Sequence, residues 1–384
     1  MNRRNVRRRK HLRLLLVCAS GLLVSVVLYL FNSNLIGVSS HGQSKRSQLA
    51  KGRDDSGVNV VPNEAGRRVD VTIEGQPITS YIWPESLMKP VLYPLRTAKG
   101  TIITRGFPLE PRAGESVDHP HQVGLWFNYG DVNGIDFWNN STVRTAAEKT
   151  HMGQIAHRRI VSTKNGKSSG ELQVEMDWLM PDNSPILHES TRFVFRSAPN
   201  LRAIDRITTL TALGRQVVFN DSKEGLLGLR VTRELEQPAK EPILLTDANG
   251  QPMKQPVLDN SIVTGQYRSS EGLIGDDVWG TRGRWTMLTG KVAAESVTLA
   301  ILDHPQNVGF PTYWMARGYG LFAANPLGQK AYSTEKKEAK VRELKFTLQP
   351  QQSVTFRYRI LILSQAAIPA QIENQYRDFT SETK

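Results

Sequence analysis

Apolar and polar residues alternate strictly in several short segments of the chain. In residues 171–178 and 353–360 every second residue is apolar. Because the side chains of a β-strand point alternately to its two faces, this period of two predicts strands with one buried face. The pair Asn165-Gly166 precedes the first segment and is typical of a hairpin turn. Further strands are predicted at residues 69–73, 101–104, 124–129, 191–195, 217–220, 297–302, 320–323 and 344–348.

Helical periodicity is scarce in the rest of the chain. Its best example is residues 369–379, close to the C-terminus. Many short strands separated by turns predict an all-β domain, built as a large β-sandwich or a barrel. Residues 234–270 are polar and contain four prolines. We therefore expect this segment to form a long excursion over one face of the domain.

The N-terminal region has the pattern of a membrane anchor. Residues 14–31 contain no charged residue, and a helix of this length is about 27 Å long, close to the thickness of the hydrocarbon core. The basic residues within 1–13 predict a cytoplasmic N-terminus and an extracytoplasmic C-terminal domain. Residues 32–68 are interpreted as a flexible tether, which leaves 69–384 as the β-sandwich domain. Cleavage after Ser40 stays open as an alternative to an uncleaved anchor.

The charge distribution argues against nucleic acid as a partner. The formal net charge is +13, but seven of the positive charges lie in residues 1–13. Elsewhere acidic and basic residues are mixed, without the basic stripe and interleaved aromatic residues that nucleic-acid binding requires. The only cysteine, Cys18, lies in the predicted anchor. The domain therefore has no disulfide framework and no thiolate metal site.

The most informative motif is Asp118-His119-Pro120-His121, which is followed by Trp126. In an extended segment, His119 and His121 would point to the same side. Two imidazoles beside a carboxylate suit acid–base chemistry or metal binding. The alternative is a pair of structural histidines that are held by hydrogen bonds. The clustered titratable groups and the aromatic neighbour favour a functional site.

Three further motifs contain candidate functional residues. Glu224 follows an apolar segment at a glycine turn and is a candidate general base or metal carboxylate. Residues 303–314 repeat the Asp-His-Pro triplet and include Asn307 and Trp314. The face of a tryptophan suits stacking on a sugar ring, whereas the two prolines also suit a tight turn. Asn325 is a candidate ligand amide, with a turn cap as the favoured alternative.

Together these motifs resemble the bacterial family labelled "methane oxygenase PmoA". The resemblance spans residues 89–363. In order along the chain, it is carried by Asp118-His119-Pro120-His121-x-x-Gly124-Leu125-Trp126, Asn133-Gly134-x-Asp136-Phe137-Trp138, Lys223-Glu224-Gly225-x-x-Gly228-Leu229-Arg230, Asp303-His304-Pro305 and Ala323-Ala324-Asn325-Pro326.

The resemblance implies a galactose-mutarotase-like supersandwich that acts on carbohydrate, with His and Glu or Asp as acid–base groups. It does not imply methane oxidation. The particulate methane monooxygenase subunit of that name crosses the membrane several times, whereas this chain has one hydrophobic segment.

We therefore expect a membrane-anchored extracytoplasmic enzyme that acts on carbohydrate as an epimerase, a lyase or a hydrolase. The expected catalytic residues are His119, His121, Glu224 and His304. The expected substrate-binding residues are Asp118, Trp126, Asp303, Asn307, Trp314 and Asn325. This hypothesis requires His119 and His304 to lie within about 15 Å of each other, so that one substrate reaches both.

Two alternatives stay open. The first is a metal-dependent enzyme, such as an oxygenase, in which a divalent metal is bound by His119, His121, Glu224 and His304. The second is a non-catalytic sugar-binding envelope protein, whose affinity would survive loss of the histidines but would fall on removal of Trp126 or Trp314. In each case the partner is a carbohydrate or another small molecule, and residues 14–31 contact the membrane.

Overall fold

Strands with alternating side-chain burial dominate the computed structural model, which describes residues 56–338 and 341–382. The strands are β1 (Val58–Asn63), β2 (Arg68–Ile73), β3 (Gln76–Ile82), β4 (Val91–Leu92), β5 (Leu125–Tyr129), β6 (Gln154–Lys164), β7 (Ser169–Leu179), β8 (Pro185–Ala198), β9 (Leu201–Ala212), β10 (Val217–Phe219), β11 (Gly225–Arg230), β12 (Gln266–Ser269), β13 (Trp285–Val292), β14 (Glu295–Asp303), β15 (Tyr313–Ala316), β16 (Leu321–Asn325), β17 (Phe346–Leu348) and β18 (Ser353–Leu363). The helices are α1 (Ala146–Lys149), α2 (Gln329–Glu335) and α3 (Pro369–Glu382). The predicted all-β class is confirmed, and the helix predicted at 369–379 is α3.

Two antiparallel sheets of eight strands form the sandwich. The first sheet has the strand order β1-β2-β3-β4-β5-β11-β16-β15, and the second has the order β12-β13-β14-β18-β9-β8-β7-β6. Strands β10 and β17 form a separate antiparallel pair. The predicted hairpin at Asn165-Gly166 joins β6 to β7. The large β-sandwich is thus confirmed.

The main hydrophobic core lies between the two sheets. In β7 every second side chain is buried, as the alternation predicts. Leu125, Phe127 and Tyr129 of β5 also face this core, whereas Trp126 belongs to a different cluster. Because neighbouring side chains of a strand point to opposite faces, β5 contributes both to the core and to the outer face of the first sheet.

Each sheet also has an apolar cluster on its outer face. On the second sheet, the apolar side of α3, which includes Phe379, packs against β13, β14 and β18. On the first sheet, the outer cluster contains Trp126, Trp138, Tyr313 and Tyr332. Loops and α2 supply the residues of this second cluster that do not come from strands. The two clusters therefore lie on opposite sides of the sandwich.

The structured domain begins before residue 69. Strand β1 lies within the segment predicted as a tether, because Val58 and Val60 are buried where β1 pairs with β2. Residues 101–104 form isolated bridges rather than the predicted strand. No helix within 56–338 and 341–382 is long and apolar enough to cross a membrane. The predicted segments 1–13 and 14–31 and the Ser40 cleavage position lie outside the described residues.

Candidate functional site

A buried arginine holds the loop that contains the Asp-His-Pro-His motif. The guanidinium of Arg105, which is 1% exposed, donates hydrogen bonds to the carbonyl oxygens of Ser116, Asp118, His119 and Gln122. A planar group with five N–H donors can bind several acceptors of one loop at once. The backbone around His119 is therefore fixed by a side chain that lies beneath it.

The carboxylate of Asp118 is bound by two arginines and one imidazole. Arg105 and Arg230 each donate to its Oδ1 atom at 2.6 Å, and Nδ1 of His119 lies 2.5 Å from its Oδ2 atom. Burial alone would raise the pKa of Asp118. The hydrogen bond to His119 and the charges of Arg230 and Arg105 outweigh burial and hold this pKa well below its usual range. Asp118 is therefore ionised and accepts the Nδ1 proton of His119.

This contact leaves the other ring nitrogen of His119 available. No hydrogen bond from a described residue reaches its Nε2 atom, and its side chain is 42% exposed. The ring stacks on Tyr319, with 5.1 Å between centroids and 2° between planes. The φ angle of His119 is 44°, in the left-handed region that few residues other than glycine adopt. A carboxylate-oriented imidazole with a free Nε2 is the arrangement that general acid–base catalysis uses.

His121 lies beside His119 but in a different environment. The two residues belong to a turn, in which the amide N–H of Gln122 donates to the carbonyl oxygen of His119, and not to the extended segment that was expected. The ring centroids are 5.6 Å apart. His121 is 4% exposed, and neither ring nitrogen has a hydrogen-bond partner in the described chain. Burial and the charge of Lys89 lower its pKa to about 2, so the ring is neutral.

Lys89 is a site residue that sequence reasoning missed. It is 5% exposed, its Nζ atom donates to the carbonyl oxygen of His121 at 2.7 Å, and Nζ lies 5.4 Å from the ring centroid of Trp126. Burial lowers the pKa of Lys89 to about 7, against the opposing charge of Asp136. No local pattern around Lys89 predicts burial, because a lysine between a methionine and a proline is equally compatible with an exposed turn.

Glu224 belongs to the same site as His119. Its carboxyl group forms no hydrogen bond or ion pair with any described residue. Burial raises its pKa, although Lys223 and Arg317 oppose this effect, and the charge of His119 also acts on it. Asp136 acts electrostatically on both Glu224 and Lys89. The structure therefore brings together three of the predicted catalytic residues with Lys89.

Asn325 positions Glu224 and is not free to bind a ligand. Its amide nitrogen donates to the carbonyl oxygens of Ser222 and Lys223 at 2.8 and 2.9 Å. Its amide oxygen accepts from the backbone N–H of Leu327. The prediction of a substrate-binding role for Asn325 is thus not supported, because two of these contacts hold the turn before β11 and the third holds the turn after β16.

His304 does not join this site. Its ring packs against Phe379 of α3 at 5.1 Å, on the outer side of the second sheet. Asp303 accepts hydrogen bonds from the backbone of Thr312 and from Asn307 and so closes the loop between β14 and β15. The amide oxygen of Asn307 accepts from the backbone of Arg357. His119 instead stacks on Tyr319 at the outer side of the first sheet, so the expected convergence of His119 and His304 on one substrate is not supported.

The two tryptophans predicted to stack on a sugar do not present a free face. Trp314 is fully buried in the core between the sheets, and its Nε1 atom donates to the carbonyl oxygen of Gly283. Trp126 is fully buried on the outer side of the first sheet, 5.3 Å from Trp138. The partly exposed aromatic residues at this side are Tyr319 and Trp279. The predicted stacking of a sugar ring on Trp126 or Trp314 is therefore not supported.

The donor set does not fit the predicted metal site. Within residues 56–338 and 341–382, no three His, Cys, Asp or Glu side chains lie close enough together to hold a metal ion. His304 is on the opposite side of the sandwich, and Asp118 is engaged by two arginines.

Most of the domain matches one protein family. Residues 68–377 match the family described as "Family of unknown function (DUF6807)". The chain belongs to this family. No curated protein matches the DUF6807 chain.

Several solved structures resemble the DUF6807 domain weakly. The galactosidase domain of the α-galactosidase-sucrose kinase AgaSK has a TM-score of 0.37 and 9% identity, and the match covers 80% of this chain and 42% of that one. The α-galactosidase AgaB from Geobacillus stearothermophilus has a TM-score of 0.35 and 10% identity, with 80% and 41% covered. The galactose 1-epimerase from Lactobacillus acidophilus NCFM has a TM-score of 0.36 and 11% identity, with 80% and 99% covered. The chain thus spans about two fifths of the two galactosidases, and these scores are too low to support an argument about activity.

Proposed function

We propose that this DUF6807 protein is an acid–base enzyme that acts on carbohydrate, with His119 as general base and Glu224 as general acid. The observation that carries the proposal is an oriented imidazole with a free Nε2 atom whose charge acts on an unpaired carboxyl group. Each of these groups transfers a proton, and their environments differ as an acid–base pair requires.

The two groups have complementary roles in a proton transfer. Nε2 of His119 accepts a proton from a hydroxyl group or a carbon atom of the substrate, and the ionised Asp118 stabilises the imidazolium that forms. Glu224, whose pKa is raised by burial, keeps a proton to higher pH than an exposed carboxyl group and donates it to the substrate. The buried arginines hold Asp118 in place, so the pair keeps its geometry during the transfer.

The reaction class that fits these residues best is epimerisation or elimination. Most glycoside hydrolases use two carboxyl groups that flank the bond to be cleaved. Here Glu224 is a free carboxyl group, whereas Asp136 accepts hydrogen bonds from the backbone N–H groups of Trp138 and Asn139 and from the Asn139 side chain. A histidine and one carboxyl group are sufficient for proton transfer in an epimerase or a lyase.

Carbohydrate is proposed as the substrate class because of the groups that surround the pair. Tyr319 stacks on His119 and lies against Arg230, and Arg317 lies over the ring of Trp279. The parts of these two rings that stay exposed suit contact with the C–H groups of a sugar. Buried polar atoms without partners, in Trp126, Asn128 and His121, suit hydroxyl groups that both donate and accept. The substrate class therefore rests on the residues of this chain.

The test is proton exchange in sugars that are incubated with the purified full-length chain. In deuterated buffer, proton NMR follows anomer interconversion and loss of carbon-bound protons across a panel of aldoses and sugar acids, and absorbance follows unsaturated products. We expect at least one sugar to react, and His119→Asn to slow the reaction about 10²- to 10⁴-fold.

The matched control is a second Asp–His pair in the other sheet. His188 lies 3.0 Å from Asp177 and is 34% exposed. His188→Asn should keep the full rate, because this pair is not near Glu224 or Lys89. Equal rates for the unmodified chain and a folded His119→Asn variant would overturn the proposal. Sugar binding without turnover would instead favour the non-catalytic sugar-binding alternative.

The membrane location and the label of the resembling family are separate proposals. We propose that residues 14–31 anchor the chain and that the domain is extracytoplasmic. Resistance of the full-length chain to alkaline extraction, together with protease accessibility from the outer side, would support this proposal. Release of the chain by alkali would contradict it.

The label "methane oxygenase PmoA" suggests an oxygenase activity, which stays a prediction. The absence of oxygen consumption with every tested sugar would contradict it.

A further inference from the structure

We propose that Lys89 and the polar groups around it form a subsite for a carboxylate, so that the substrate is a sugar acid. The inference rests on the proposed function, since it assumes that His119 and Glu224 act on the same molecule. It names the chemical class of that molecule, which the acid–base pair alone does not determine.

The first observation is a buried lysine amine that forms no ion pair in the described chain. The Nζ atom of Lys89 has one hydrogen-bond partner among the described residues, the carbonyl oxygen of His121. No carboxylate of the described chain forms an ion pair with it. A buried charge without an ionised partner is costly. A carboxylate from a bound ligand would provide the missing partner with a charge-assisted hydrogen bond.

The second observation is a pair of unused donors beside this cation. The indole N–H groups of Trp126 and Trp138 are buried and have no hydrogen-bond partner in the described chain. Nζ of Lys89 lies 5.4 Å from the ring centroid of Trp126, and the rings of Trp126 and Trp138 are 5.3 Å apart. Indole nitrogen is a donor only. An ammonium group and two indole N–H groups form a donor set that suits an anion with several acceptor sites.

The third observation is a set of unused acceptors next to these donors. The amide oxygen of Asn128, which follows Trp126 by two residues on β5, is buried and unpaired. The ring nitrogens of His121 are also unpaired, and one of them is an acceptor in the neutral ring. These atoms suit hydroxyl protons. A ligand that satisfies both sets carries a carboxylate and hydroxyl groups.

The subsite is connected to the proposed catalytic pair. The ring of His121 contacts the ring of His119 at a centroid distance of 5.6 Å. A sugar acid with its carboxylate at Lys89 can therefore present a neighbouring ring carbon or hydroxyl group to His119. In such a substrate the carboxylate also acidifies the adjacent C–H group, which is the bond that an epimerase or a lyase breaks first.

The experiment compares pairs of sugars that differ only in the carboxylate. Binding of D-glucuronate and D-glucose, D-galacturonate and D-galactose, and D-mannuronate and D-mannose is measured by calorimetry with the full-length chain. We expect at least one acid to bind about ten- to a hundredfold more tightly than its neutral partner, which is the effect of one charge-assisted hydrogen bond. This part of the test needs no variant, so it does not depend on the folding of an altered chain.

A substitution then assigns the preference to Lys89. Lys89→Met keeps a side chain of similar length and should remove the preference while weak binding of the neutral sugar persists. Lys291→Met, at an exposed lysine of β13 in the other sheet, should leave the preference unchanged. Circular dichroism establishes that both variants are folded. A preference that survives Lys89→Met would overturn the assignment.

The remaining outcomes separate this inference from the proposed function. Turnover of a neutral sugar that depends on His119, without any preference for acids, would overturn the subsite and leave the proposed function intact. A preference for acids that depends on Lys89, without turnover, would support the subsite and count against the enzyme. Binding of neither class would overturn both.

Discussion

The tripeptide Asp-His-Pro occurs twice in this chain, and the two copies have different roles. At Asp118-His119-Pro120 the carboxylate is bound by buried arginines, and the imidazole keeps a free Nε2 atom toward solvent. At Asp303-His304-Pro305 the carboxyl group accepts N–H groups of its own loop, and the imidazole is 2% exposed beneath α3. The same three residues thus form a candidate catalytic pair in one place and a loop closure in the other.

The partners of each carboxyl group explain the difference. The charges of Arg105 and Arg230 keep Asp118 ionised, which allows it to orient and stabilise a neighbouring imidazolium. Asp303 is fully buried, and burial raises its pKa to about 7 although hydrogen bonds from Asn307, Thr312 and His304 oppose the rise. A carboxyl group in that environment closes a loop but is a poor partner for a proton-accepting histidine. The motif alone therefore does not identify a site.

The largest expected effect separates the two histidines. His119→Asn should lower turnover about 10²- to 10⁴-fold with little change in melting temperature, because the exposed ring makes few packing contacts. His304→Asn should leave turnover unchanged but lower the melting temperature, because it replaces a buried ring that packs on Phe379. Rate measurements and thermal denaturation of both variants test this. A similar loss of turnover in both would remove the distinction between the two triplets.

The second effect separates the two carboxyl groups through pH. The pKa of Asp118 is lowered by folding, so its contribution to stability is present above the unfolded pKa of about 3.9 and is lost at lower pH. Asp118→Asn should therefore lower the free energy of unfolding most at neutral pH, because two buried guanidinium groups lose the anion that they share. The expected loss is about 2 kcal/mol, since the partial exposure of Asp118 weakens these ion pairs.

Asp303 should show the opposite dependence on pH. Its folded pKa of about 7 lies above the unfolded value, so the stability that it contributes falls as the pH rises from about 4 to 7. Asp303→Asn should therefore lower the free energy of unfolding more at pH 4 than at pH 8. Thermal denaturation of both variants between about pH 2 and 8 tests the pair of predictions, and parallel profiles would contradict the assigned environments.

The third effect concerns Glu224, which has no counterpart at the second triplet. Burial raises the pKa of Glu224. Turnover that needs protonated Glu224 should therefore fall as the pH rises through this raised pKa. Glu224→Gln should reduce turnover about 10- to 100-fold and remove this alkaline limb. The pH–rate profiles of the two chains show the result. An unchanged limb in the variant would assign the titration to another group.

The smallest effect concerns the aromatic ring that each histidine contacts. Tyr319 stacks on His119, whereas Phe379 meets His304 edge-on. Tyr319→Leu should lower turnover only several-fold, because Asp118 still orients the imidazole. Phe379→Leu should leave turnover unchanged and cost about 1 kcal/mol of stability. Rates and denaturant titrations distinguish these results, and an inactive Phe379→Leu variant that remains folded would contradict them.

Local periodicity explains how much of the fold was predictable. The alternation in residues 171–178 predicted β7 and its buried face, and the apolar spacing near the C-terminus predicted α3. Strand β1 escaped prediction because a short edge strand among polar residues has too few alternating positions. Residues 101–104 were predicted as a strand and are not one, since Ile103 is buried in a loop that pairs with its neighbours only at single residues.

The candidate site was predicted in part. His119, His121 and Glu224 carry chemistry that is visible in the sequence, and the structure brings them together. Lys89 was not predictable, because its burial depends on strands that are distant in the chain. His304 was expected at the same place because its motif matches, but the second sheet carries it to the opposite side of the sandwich.

The sequence by itself determined which segments become strands, because side-chain alternation is a property of neighbouring residues. It also determined which residues can transfer protons. Only the tertiary structure decided which of these residues meet, because antiparallel pairing places β11 beside β5 and so brings Arg230 to Asp118 across 112 residues. Burial, which lowers the pKa of Lys89 and raises that of Glu224, likewise exists only after distant loops and α2 have covered the outer side of the first sheet.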